Sequence, residues 1–190
     1  MKKIEKDFMK ENNNDYGIGI RGEVFFYKNG KLLFKKSNMI VDSGRKYLRE
    51  IFLAKTGLLS YLPDNNNTPD SLIFGKIVLG TGSRITERSM TYDSIKNTLI
   101  DSYSVSIFNS ANSPSENEII RNEEGNSISF KINIEGNPEY PILAKELAML
   151  LEDPEIQAGD EKYTLFSRIS FDGVPLGSGS DLEIEYFVYF

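Results

Sequence analysis

The feature that most constrains this chain is the stretch from Tyr163 to Phe190, which reads YTLFSRISF, then DGVPLGSGSD, then LEIEYFVYF. Two runs rich in β-branched and aromatic residues flank a connection of Gly, Pro, Ser and Asp, the sequence form of a β-hairpin with a long loop. Successive strand residues point to opposite faces, so Leu182, Ile184, Tyr186, Val188 and Phe190 share one side. Glu183, Glu185, Phe187 and Tyr189 share the other, charged at first and aromatic at the end. Such a strand starts half-exposed and finishes covered on both faces. Buried at about 1.5 to 3 kcal/mol each, its five apolar-side residues contribute on the order of 7 to 15 kcal/mol before ordering entropy is subtracted. That equals the net stability of a whole domain.

Length and charge narrow the class. A chain of 190 residues fits one domain, here Gly22 to Phe190, preceded by a charged, Asn-rich arm over residues 1–21 that suits contact with a neighbouring subunit. The net charge of −6 argues against sequence-specific nucleic-acid binding, which relies on Lys and Arg displacing counterions from phosphates. Lys28, Lys31, Lys35 and Lys36 cluster at one turn and read as a solubilising edge that discourages strand pairing. With no cysteine and no histidine there is no thiol nucleophile, no thiolate or imidazole metal site and no Ser-His-Asp triad. The opening MKKIEKDFMKENNND lacks the apolar core of a signal peptide, and no run is long enough to span a membrane. The expectation is a soluble product of the cytoplasm, with no membrane partner, no cofactor and no metal.

Read in order, GEVFFYKNGKLLFKK forms two short strands around Asn29-Gly30, a dipeptide suited to a two-residue turn in which both central residues need positive φ. In NMIVDSGRKYLREIFLAKTG the period changes to that of a helix: Asp42 or Ser43 caps it, Tyr47, Leu48, Ile51 and Phe52 form its apolar stripe, and Gly57 closes it. Residues 58–71 are a turn-rich loop whose Asp64 and Asp70 lack the spacing of a calcium loop. LIFGKIVLGTGSR is a buried strand running into Gly80-Thr81-Gly82. No Lys-Ser/Thr follows the second glycine, so a tight turn is preferred to a phosphate loop. Residues 85–97 are a polar excursion, and Tyr103, Val105 and Ile107 alternate with serines in the next strand.

The acidic segment NSANSPSENEIIRNEEGN invites a glycosidase reading through Glu116, Glu118, Glu123 and Glu124. Paired carboxylates act when held about 5 to 10 Å apart, but a loop offers no burial to raise one pKa and the chain has no Trp to stack on a sugar. Solvated loop charge is the better reading. SISFKINIEG alternates cleanly, with Ile128, Phe130, Ile132 and Ile134 on one side. PILAKELAMLLEDPE is open between two states: its propensities favour a helix starting at Pro141 and stopped by Pro154, while a sheet context overrides such preferences. Together these runs predict a mainly β, antiparallel, jelly-roll-like sandwich with one or two short helices and no internal repeat. The loops over 58–71, 81–97 and 109–126 exceed what a minimal sandwich needs, which predicts that neighbours in an assembly order them.

The order of these pieces resembles a diffuse family of virion structural proteins from tailed bacteriophages. The residues that carry the likeness are Asn38, Ile40 and Gly44 at the approach to the helix, Leu79, Gly80 and Gly82 at the strand end, and Glu146 with Leu147 in the internal segment. Phe166, Arg168 and Phe171, then Leu182, Ile184, Tyr186 and Phe190, complete it. The resemblance implies an extended conformation around Glu146 and a non-enzymatic, multi-copy building block of the neck, tail or surface, incorporated into the virion. It further implies copies of itself and other virion proteins of the portal, neck or tail as partners, with its acidic surface repelling DNA from a ring's channel. Arg168 is then either an exposed strand residue or the partner of Glu183 or Glu185 across the terminal hairpin, a pairing that contributes about 0.2 to 1 kcal/mol. The alternative is a surface module, on head or tail fibre, that binds host glycan or protein through Tyr61, Tyr92 or Tyr140. A carboxylate hydrolase is weakest, since no acid/base pair stands out.

Overall fold

The computed structural model describes residues 20–55, 72–107, 118–121, 127–156, 159, 162–179 and 181–189. The arm over 1–15, the loop over 58–71, most of the acidic loop and Phe190 lie outside these residues, as do the expectations that concern them. The chain forms β1 (Arg21–Lys28), β2 (Lys31–Ile40), α1 (Asp42–Lys55), β3 (Ile73–Gly80), α2 (Tyr92–Ile95) and β4 (Leu99–Ser106). After these come β5 (Glu118–Arg121), β6 (Ser127–Glu135), β7 (Ile142–Glu152), β8 (Tyr163–Leu176) and β9 (Asp181–Tyr189). All pairings are antiparallel, in the order β4-β3-β7-β8-β2-β1-β9-β6-β5. The result is a sandwich nearly closed into a barrel, as the alternating runs predict.

The β1–β2 hairpin forms as expected: Asn29 at φ 52° and Gly30 at φ 70° make the two positive-φ positions of its turn, and Lys28 pairs with Lys31. Strand β2 then joins the two layers, because its body pairs with β1 while Met39 and Ile40 pair with Arg168 and Ser167 of β8. One layer is therefore β5-β6-β9-β1-β2 and the other β4-β3-β7-β8. Their inner faces meet in a core of Val24, Phe26, Ile132, Ile184 and Tyr186 against Ile77, Leu147, Met149, Phe166 and Ile169. Rings interlock across the layers, with Phe26 and Phe171 centred 4.9 Å apart and Phe74 and Phe130 5.6 Å apart. Helix α1 packs here as predicted, through Tyr47, Leu48 and Ile51. Gly44 lies so close to the Phe166 carbonyl that a β-carbon would overlap it. The Ser43 hydroxyl donates to the Leu165 carbonyl.

One expectation is corrected and one open question settled. Strands β8 and β9 are not a hairpin: β8 pairs with β7 and β2, and β9 inserts between β1 and β6 in the other layer. The strand also runs on through Leu176, with Gly173 at φ 127° absorbing an irregularity in the β7 ladder, so only residues 177–180 connect the layers. Residues 142–152, open between helix and strand in the sequence, are extended, as the resemblance implies. Here β7 lies between β3 and β8 with Leu147, Met149 and Leu151 in the main core. Ala148 and Leu150 face a second core on the outer side. A strand covered on both faces has no polar alternation, and over this length its apolar run is indistinguishable from a buried helix.

Candidate functional site

That second core organises the site. Val41, Val78, Ala148, Leu150 and Leu165 on the outer face of the β3-β7-β8 layer are covered by Met90 and Ile95 from the segment between β3 and β4. The excursion over 81–97 is thus ordered by its own chain, which corrects the expectation that it waits for a neighbour. At its root, the Thr81 amide donates to the Thr98 carbonyl, and the Asp42 amide donates to the Arg88 carbonyl.

The device that holds the excursion is a buried ion pair. Arg168 is 1% exposed and Glu146 fully buried, with Arg168 Nε donating to Glu146 Oε2 at 2.7 Å. Arg168 Nη1 continues outward to the Arg84 carbonyl at 2.7 Å and to Thr86 Oγ1 at 3.0 Å. The other carboxylate oxygen, Oε1, accepts from the Gly82 amide at 2.7 Å. A charge taken out of water is tolerable only when it is paired and its remaining hydrogen-bonding capacity is filled. Both oxygens of Glu146 and two faces of the guanidinium meet that condition.

This geometry reassigns the glycines. Neither Gly80 nor Gly82 has a positive φ, so no tight turn requires them. A β-carbon on Gly80 would stand 2.6 Å from Glu146 Oε1, and one on Gly82 would sit closer still. They are glycines because the backbone must pass against a carboxylate. Arg168 accordingly makes no pair with Glu183 or Glu185. Glu183 takes Lys131 at 3.1 Å on the half-exposed outer face of the other layer, and Glu185 accepts from the Tyr27 hydroxyl at 3.0 Å. Burial, helped by that bond to Glu185, pushes the Tyr27 phenol above its ordinary pKa.

Tyr186 forms a separate buried polar cluster between the layers. Its hydroxyl shares a hydrogen bond with Ser167 and accepts from the Asn38 amide nitrogen, while Asn38 Oδ1 has no partner. Burial raises its phenol pKa strongly, against the smaller lowering effect of Ser167. Asn29 and Gly30 stay at the hairpin tip, away from both clusters. Sequence reasoning named Arg168, Gly80, Gly82 and Glu146 but did not bring them together. The available signal was the alternation: Glu146 falls on the strand face opposite Lys145, and it and the one Arg of LFSRISF are opposite charges in apolar runs that can be buried only as a pair.

Beside the excursion, a cavity of about 290 Å³ is lined by Ser43, Thr91, Tyr92, Asp93, Tyr163 and Thr164, with Leu165 at its base. The Tyr92 and Tyr163 rings stand 5.6 Å apart. Lys76 Nζ lies 4.3 Å from the Tyr163 ring centre and 3.2 Å from Asp101. Burial lowers its pKa, but hydrogen bonding to Tyr163 and Asp101 more than offsets this and raises it overall. Tyr140 is exposed and lies elsewhere, its carbonyl accepting from the Tyr103 hydroxyl, and Tyr61 lies outside the described residues. No known protein family, curated protein or solved structure matches the chain.

Proposed function

We propose that this chain is a non-enzymatic structural component of a tailed-phage virion, a multi-copy neck or tail protein of ring, collar or adaptor type. The observation that carries the reading is where its phage-like positions fall. Gly80, Gly82, Glu146 and Arg168, dispersed over the sequence, meet in one buried knot in which the ion pair reaches the backbone at the Gly82 amide and the Arg84 carbonyl. Phe166, Phe171, Ile184 and Tyr186 are core. Such residues fix a shape, and fixing a shape is what a particle component must do. Its partners are copies of itself and neighbouring portal, neck or tail proteins.

The test is native mass by light scattering over a concentration series, for the full chain and for a chain lacking Met1 to Asp15. A defined oligomer that dissociates when those residues are removed is expected. A monomer at every concentration, alone and mixed with its candidate neighbours, overturns the ring reading.

A second reading, a surface module that binds host glycan or protein, is favoured by the cavity, where two tyrosine rings, a carboxylate and hydroxyls converge. Aromatic faces and polar edges of this kind suit a sugar ring. Glycan-array binding that disappears in Tyr92→Ala supports it, and an array without signal removes it.

A further inference from the structure

We propose that the outer edge of β2 docks an extended, acidic segment of a partner protein as an added strand. The proposal rests on the assembly reading above and names the chemistry of one partner. Among the described residues, β2 between Lys31 and Asn38 is paired on one side only, by β1; β8 joins it at Met39 and Ile40 and no further. Along the rest of this edge, alternate residues direct their N–H and C=O groups away from β1, with no strand of the described residues to receive them. An open edge of this kind is a template for strand addition.

Two features say what it accepts. Leu32 is 53% exposed and Leu33 46%, side by side on a strand that carries three lysines. An edge built only to repel strands has no use for adjacent exposed leucines. They supply apolar contact for alternate side chains of an incoming strand. The charge is the second feature. Lys31, Lys35 and Lys36 are exposed along the same edge, on a chain whose net charge is −6. Lys35 points to the outer face, where it meets Glu23 at 2.9 Å, while Lys36 pairs with Val24 and points to the inner side. An incoming strand therefore meets positive charge on both of its faces. A second copy pairing through the same edge would set lysine against lysine, so the charge pattern selects against self-pairing here and for an acidic partner.

The experiment uses the full chain and a fluorescent peptide of alternating Glu and Val, read by anisotropy at low and moderate salt, with amide exchange followed over Leu32 to Ser37. A lysine-valine peptide and an acidic peptide with a central proline serve as comparisons. The acidic peptide should bind at least about tenfold more tightly than the lysine peptide, weaken with salt and slow exchange along β2. The proline peptide should fail. In the double variant Lys31→Glu, Lys36→Glu the order of preference should reverse, without loss of the cooperative melt. Equal binding of both charges, no binding in the millimolar range, or protection confined to another strand overturns the proposal. So does a dimer of the peptide-free chain that the double variant disperses, which would make a second copy the occupant. Removal of Met1 to Asp15 reads assembly and the peptides read this edge, so either idea can fail alone.

Discussion

The hydroxyl of Tyr186 sits where no water reaches it, and burial holds its proton on well above the pKa of a free phenol, about 10. In the unfolded chain the same phenol ionises near that value. The folded pKa is the higher one, so this contribution to stability is complete below about pH 10 and is lost as pH rises beyond it, by about 1.4 kcal/mol per pH unit. Unfolding by urea at increasing alkaline pH should show this fall, and Tyr186→Phe should flatten it. The flattening is partial, because burial also raises Tyr27, Tyr47 and Tyr189. At neutral pH the variant should lose about 1 to 3 kcal/mol, since Ser167 and Asn38 are left without their partner. An unchanged alkaline slope would show that Tyr186 is not buried as a neutral phenol. The sequence marks Tyr186 as core through its place in the alternation of β9, but not Ser167 or Asn38. Serine and asparagine are ordinary surface residues, and only a fold that brings β2, β8 and β9 together gives them a buried partner.

Between elements, the knot of Glu146, Arg168 and Gly82 binds β7 and β8 to the excursion after β3. Arg168→Met leaves a buried carboxylate unpaired and should destabilise the fold by about 3 to 5 kcal/mol, with amide exchange accelerated over residues 82–91. Adding Glu146→Leu removes the stranded charge and should restore much of that loss. A double variant no more stable than the single one, in urea unfolding, would show that the pair is not the anchor. The pattern of elements was partly legible. The β1–β2 turn is written in Asn29-Gly30, and β6 and β9 are written in their alternation. Strand β7 was not, because burial on both faces erases the period that separates strand from helix. The pairing of β8 was misread for another reason: a Gly/Ser connection permits a hairpin, but nothing local decides whether the second strand returns beside the first or crosses to the opposite layer.

Across the molecule, β9 is the strand that completes the β1-β9-β6 layer. Its Leu182, Ile184, Tyr186 and Val188 are all buried, and it is bonded to β1 on one side and β6 on the other. Removing Tyr186 to Phe190 should therefore abolish the cooperative melt, as followed by circular dichroism, and send the product to the insoluble fraction; a truncated chain that melts cooperatively would refute it. The same placement bears on how the protein is made. Arg21 pairs with Tyr189, nearly the whole chain away. While β7 and β8 are still being added, β1 waits with its β9-facing edge open, and nothing upstream can close it. The chain is at its stickiest until β9 arrives between β1 and β6, so slow translation or a chaperone at that stage should decide the yield.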